Sequence, residues 1–314
     1  MAITADRVLA GVKRRAVVPT NQVTLDDDDI LDLIDDVIKV HAVPLVDSVN
    51  GEFFVTSELD ALVASQDNYD IPYRAIGRTL RDLKIKNTTS NSVRNCPYIE
   101  PEDIHLYADT ASYFGHYFKG DQIYLVPSVP STFTAPESLE KWYKIRPSSL
   151  VKLNSAAKVV SVSGEFVTVE AAGDIATGSV IDFIKGKSGN SIYSIDITCS
   201  NVSSTTFTFT ESEIPSSLVA GDYIALAGFS PVITMIPDEC SPWIERLAAK
   251  EVLLSIGDDI GAEKLSPGIA QERGNLLQIL EPRNEGEPKI IINRASLARG
   301  GKFNQTRWNY GGGS

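Results

Sequence analysis

The chain has 314 residues, 43% hydrophobic and 22% charged, which is enough to bury a substantial core in one large domain or two ordinary ones. Its formal net charge of -12 argues against general nucleic-acid binding by the body, because a phosphate-binding surface needs clustered positive charge. Cys96, Cys199 and Cys240 are too few and too scattered for a disulfide framework or a thiolate metal centre, and no signal-type run or stretch of eighteen apolar residues points to export or a membrane, so the expected compartment is a cytoplasm.

In chain order, residues 1–25 carry Arg7, Lys13, Arg14 and Arg15 ahead of Pro19 without sustained periodicity, which predicts a basic N-terminal arm. Asp26-Asp27-Asp28-Asp29 then precedes Ile30, Leu31, Leu33, Ile34, Val37 and Ile38. Clustered carboxylates complement the positive end of a helix and supply its cap, so a helix is predicted from about Asp27 to His41, stopping before Pro44 and forming the unit 26–44. Asp26, Asp28, Asp32, Asp35 and Asp36 do not make a calcium loop, since the glycine and closing glutamate of that motif are missing.

Residues 45–153 read as an antiparallel β-rich domain, a meander of strands at Glu52 to Thr56, Asn68 to Ile71, Thr79 to Lys86, Tyr113 to Phe118, Gln122 to Val126 and Glu140 to Ile145. Gly120-Asp121 is a hairpin signal, Pro101-Glu102-Asp103 opens a short helix, and Pro127 to Pro136 is a loop. Residues 154–230 form a further β unit, an inserted small barrel or sandwich with an internal echo. Phe166 to Glu170, Gly178 and Val180 to Phe183 match Phe207 to Thr210, Gly221 and Tyr223 to Leu226.

Residues 231–285 return to helical spacing: Trp243, Leu247, Ala248, Val252 and Leu254, a stop at Gly257, then Ile260, Leu265, Ile269, Leu276, Leu277 and Leu280 up to Pro282. This is a helical hairpin, with a possible break at Pro267-Gly268, whose apolar seam needs the helix beginning at Asp27 as a third partner. The fold class is therefore α+β: terminal helices making a small bundle, a large antiparallel β region between them, and an extended basic C-terminal arm over 286–314. In the arm Lys289, Ile290, Ile291, Ile292, Arg294, Arg299, Lys302, Phe303, Arg307, Trp308 and Tyr310 combine positive charge, a β-type run and aromatic anchors. Ordering it alone costs about 1–2 kcal/mol per residue, so the segment is expected to order on a partner, with an inert terminus as the alternative.

Catalytic chemistry has little to stand on. His41, His105 and His116 lack metal or triad spacing, and Gly186-Lys187-Ser188 lacks the earlier glycine of a phosphate loop. No catalytic, cofactor or metal residue is expected, and the chain is not expected to be an enzyme.

Several stretches read together resemble the head–tail connector, or adaptor, proteins of tailed bacteriophages. They are Tyr69-Asp-Ile-Pro72, Arg74-Ala-Ile-Gly77, Leu80-Arg-Asp82, Pro101-Glu-Asp103, Tyr143-x-x-Arg146-Pro147, Gly221-Asp222, Gly228-x-Ser-Pro231, Ile236-Pro237, Glu281-Pro-Arg283 with Gly286, and Lys289-Ile-Ile291. The resemblance implies a structural virion protein, assembled in the host cytoplasm and placed in the neck as a homo-oligomeric ring, commonly of twelve subunits. It implies docking on the portal protein through Lys289 to Tyr310, tail nozzle or tail-fibre proteins below, DNA passing the channel without specific binding, and no cofactor. The large β portion departs from the compact, mostly helical members. The alternative is a β-rich binding module of the tail, for carbohydrate or fibre attachment, using Tyr113, Phe114, Tyr117 and Phe118.

Overall fold

The computed structural model describes residues 3–18, 25–87, 89–107, 114–129, 137–186 and 192–280. The fold is α+β, with helices toward both ends of the described chain and sheets between them that are antiparallel apart from one short parallel pair, Phe229–Ser230 with Ser149–Leu150.

The expected N-terminal arm is instead a helix, α1 (Ala5–Ala16), capped by the Thr4 side chain on the Arg7 amide and ended by Val17 at φ 53°. Ala5, Val8, Leu9, Val12 and Ala16 are buried on one face. The helix was hidden because Arg7, Lys13, Arg14 and Arg15 crowd the rest of its surface, and over twelve residues the charge outweighs the apolar spacing. Backbone bonds from Ala5 to Pro231 and from Ile233 to Ile3 tie its start to the end of the β region.

α2 (Asp27–Val37) starts as expected, with the Asp26 carboxylate accepting from the Asp28 and Asp29 amides while Asp29 accepts from the Asp26 amide. Pro44 does not stop it. A π-helical turn at Ile38–Ala42, with the Val43 amide bonded back to the Ile38 carbonyl, carries the chain into α3 (Val43–Val49), and the wider turn accommodates Pro44, which donates no backbone hydrogen bond.

The sheets begin with β1 (Val55–Ala61), β2 (Asn68–Asp70), β3 (Ala75–Asn87) and β4 (Val93–Asn95), then a short helix α4 (Ile104–Tyr107), then β5 (Gly115–Lys119), β6 (Gln122–Val126) and β7 (Glu137–Ile145). The antiparallel pairing holds but the meander order does not. The sheets run β1-β7-β3-β4 and β2-β6-β5. β7 buries Leu139, Lys141, Tyr143 and Ile145 and is therefore central, paired along both edges. β1 starts later than expected because Asn50 turns residues 50–53. Its polar Glu58 and Asp60 belong in a strand because Lys141 answers them across the sheet, opposite Glu58 and ion-paired to Asp60. Gly120, at φ 66°, turns the β5-β6 hairpin at the predicted place.

After β8 (Ser149–Leu150) come β9 (Ala157–Ser163), β10 (Phe166–Val169), β11 (Val180–Ile184), β12 (Ile192–Thr198), β13 (Asn201–Ser203), β14 (Thr206–Thr208), β15 (Tyr223–Leu226) and β16 (Phe229–Ser230). The sheet order is β12-β11-β15-β9-β10-β14-β13, and since β12 and β13 are one stretch interrupted at Cys199-Ser200, the circuit closes as a small barrel. The echo in the sequence becomes a local twofold relation: β10 pairs with β14, and β11 with β15. β9 pairs with β10 and reaches across to β15, while β13-β12 pairs with β14 and reaches across to β11. Gly178 (φ 83°) and Gly221 (φ 93°) lead into the two equivalent strands. Phe183, Phe207 and Phe209 fill the barrel, each burial stabilising by about 1.5–3 kcal/mol.

α5 (Ser241–Ser255) and α6 (Asp259–Leu280) form the expected hairpin around Gly257, and α5 is the axis against which α1, α2 and α6 pack. Pro267 does not divide α6. It lies on the exposed side, as does Glu263, whose carbonyl it leaves to water. Gly268 makes room for Arg246, which crosses it to reach Glu272 at 2.9 Å.

Candidate functional site

The expected docking residues from Lys289 to Tyr310 lie outside the described residues, as do Tyr113, Lys187 and Ser188. The three histidines occupy separate places: His41 is exposed on the π-turn, His105 bonds the Glu102 carbonyl at 2.9 Å, and His116 is buried. Among the described residues no group of His, Cys, Asp and Glu could hold a metal ion, and no helix is long and apolar enough to cross a membrane. Burial pushes the Cys96 and Cys240 thiols up to about 12, so neither supplies a thiolate near neutrality. Of the aromatic residues proposed for ligand binding, Tyr117 stacks on Tyr124 and Phe118 on Tyr98, the strand alternation placing them in separate pairs.

His116 Nδ1 donates to the Cys96 carbonyl at 2.8 Å, and burial lowers its pKa below the ordinary value. The folded chain therefore binds fewer protons here than the unfolded chain below about pH 6.5. Its stabilising contribution is complete above that value and is lost as pH falls toward the lowered one. Urea midpoints measured at about pH 7 and about pH 5 should show this loss, and His116→Gln should narrow the gap between them. An unchanged gap in the variant would assign the pH dependence elsewhere.

The chain's separate parts converge on the segment Arg146–Val151. The Arg146 amide donates to the Arg74 carbonyl (2.8 Å), the Ser149 amide to Gly228 (2.8 Å) and the Val151 amide to Ser230 (2.9 Å). The Ser148 amide donates to Thr234 Oγ1 (3.1 Å), the Leu150 amide to Asp35 on α2 (2.9 Å), and Lys39 Nζ to Ser149 Oγ (3.0 Å). Sheet, barrel and helical layer are thus hydrogen-bonded through six consecutive residues. Beside them lies a cavity of about 410 Å³. Its polar wall is Lys39, Arg74, Arg146, Ser148 and Ser149; Val43, Ile76 and Pro147 supply apolar surface.

Behind this wall a buried ion pair joins sheet to barrel. Arg74 Nη2 lies 2.5 Å from Asp182 Oδ2, with the aspartate 0% exposed. Asp182 also accepts from the Gly228 amide at 3.0 Å and the Asp196 amide at 3.1 Å, and Arg74 Nε donates to Tyr73 Oη at 3.0 Å. Burial raises the Asp182 and Asp35 carboxyls above the ordinary range, against the pull of Arg74 and Lys39. Two polar atoms of the cavity residues stay unsatisfied: Arg74 Nη1 and Ser148 Oγ.

Arg74, Arg146-Pro147 and Gly228 belong to three of the stretches that carried the resemblance, and folding brings them to one cavity. Asp182, Lys39 and the serines were missed. A signal for Asp182 existed: an acid inside Val180-Ile-Asp-Phe-Ile184, where an unpaired charge would be very costly to bury. No protein-family model matches the chain, and no curated protein matches it.

Proposed function

We propose that the chain is a structural virion subunit, a head–tail adaptor that assembles as a ring in the phage neck and docks on the portal through Lys289 to Tyr310. The resemblance suggests the family, and one observation carries the assembly. α6 runs for 22 residues yet fully buries only Ala262 and Leu276. Around the hairpin tip Leu254, Ile256 and Ile260 stand exposed, Ile260 at 70%, and Ile279 is exposed near the far end. A long helix so poorly covered by its own chain suits a neighbour of the same kind, as a ring supplies. The acidic composition suits a channel that lets DNA slide past, and the described helical layer ends at Leu280, just ahead of the basic segment.

The test mixes the full chain with the portal ring of the same genome and images the particles by negative-stain electron microscopy, beside a chain ending at Glu287 and the variant Ile260→Asp. Full-length rings stacked on the portal are expected. The shortened chain should keep its circular dichroism and lose the stacking, and Ile260→Asp should stay folded but fail to close rings. A full chain that ignores a competent portal overturns the reading.

A further inference from the structure

The cavity beside Arg146–Ser149 presents donors with nothing to receive them. Arg74 and Ser148 are 5% and 6% exposed, and Arg74 Nη1 and Ser148 Oγ lack a hydrogen-bond partner. Buried donors are costly unless satisfied, so an unpaired guanidinium nitrogen and an unpaired hydroxyl on two residues that line one cavity point to an acceptor that belongs there. Arg146 adds a third donor group, since among the described residues its side chain has no ion pair or hydrogen bond. Lys39, which donates to Ser149 Oγ at 3.0 Å and lies 3.6 Å from Asp35, adds a fourth, its ammonium carrying three hydrogens.

We infer that this cavity binds a carboxylate group, received by Arg146, Arg74, Ser148 and Lys39. The acceptor is anionic because three cations line the cavity and, among the described residues, no carboxylate does. It is singly charged because Lys39 is paired with Asp35 and Arg74 with Asp182, which leaves Arg146 as the one cation of the cavity with no ion pair among the described residues. Guanidinium groups match the planar, two-oxygen face of a carboxylate. Val43, Ile76 and Pro147 suit the short apolar stem that carries it, whether a free organic acid or the side chain of a neighbouring copy of this chain.

The experiment titrates the full chain with sodium butyrate and sodium phosphate at constant ionic strength, following binding by calorimetry. Butyrate should bind in preference to phosphate, Arg146→Gln should weaken it about tenfold, and Ser148→Ala should weaken it severalfold. Both variants should fold, because Arg146 is exposed and the Ser148 hydroxyl makes no hydrogen bond within the chain. Absent butyrate binding, equal binding in both variants, or tighter phosphate binding overturns the assignment. Sedimentation with and without butyrate then identifies the source: an oligomer that butyrate dissociates holds a neighbour's carboxylate, and an indifferent one takes a free acid. Portal binding plays no part in these measurements, so this inference and the adaptor reading fail separately.

Discussion

Asp182→Ala should cost the folded chain about 3–5 kcal/mol, as expected when one partner of a buried ion pair is removed and the other stays behind. The Arg74 guanidinium would remain 5% exposed with only the more distant, partly exposed Asp196 carboxylate at 3.9 Å, and the Gly228 and Asp196 amides would lose their acceptor. Water cannot easily replace the carboxylate, because Asp182 lies wholly inside the junction of sheet and barrel. The paired substitution Arg74→Met with Asp182→Leu should recover most of that loss, since it removes both desolvation costs together. Urea denaturation of the two single variants and the double variant measures the coupling. A double variant as unstable as Asp182→Ala would mean that shape, and not charge, holds the junction.

What could be read from the residues divides along physical lines. Features written in neighbouring residues came through: the Asp26 cap, the Gly120-Asp121 turn, the hairpin around Gly257, and the matched stretches that became the β10-β14 and β11-β15 pairs. Each is a local preference that tertiary packing reinforces. α1 failed to show because its apolar positions are few and its basic ones conspicuous, although Val8, Leu9 and Val12 do have helical spacing. The strand order failed for another reason. Antiparallel strands signal their edges and faces but not which partner they choose, so nothing near residues 137–145 says that they will slot between β1 and β3.

The cavity shows the same limit at the level of function. Arg74, Arg146 and Gly228 could each be singled out as part of a familiar stretch, yet their meeting depends on Asp182, a residue that none of those stretches contains. Sequence separation made Arg74 and Asp182 look unrelated, although one is the charge that allows the other to be buried. The ring-forming surface proposed on α6 is legible in the opposite sense. Its apolar residues fit a core pattern, and only the fold reveals that Ile260 and Ile279 have no core to enter.

Gly186→Ala is the second substitution with a large expected effect, about 3 kcal/mol or more, because the clash is with backbone. A Cβ at Gly186 would lie 2.0 Å from the Gly221 carbonyl oxygen, in the turn that leads into β15. That turn has little freedom to retreat. Asp222, 1% exposed, accepts from the Gly186 amide and from the Val219 amide, both at 2.9 Å, and so clamps the end of β11 to the turn. Moving Gly221 aside would break these bonds and shift the β11-β15 pairing at Ile184 and Tyr223. Gly164→Ala provides the control: its φ of 57° strains any side chain, but a Cβ there meets nothing within 4 Å, so only about 1–2 kcal/mol should be lost. Thermal unfolding of the two variants side by side separates close approach from backbone conformation. Equal losses would mean that the two halves of the barrel do not depend on the contact between Gly186 and Gly221.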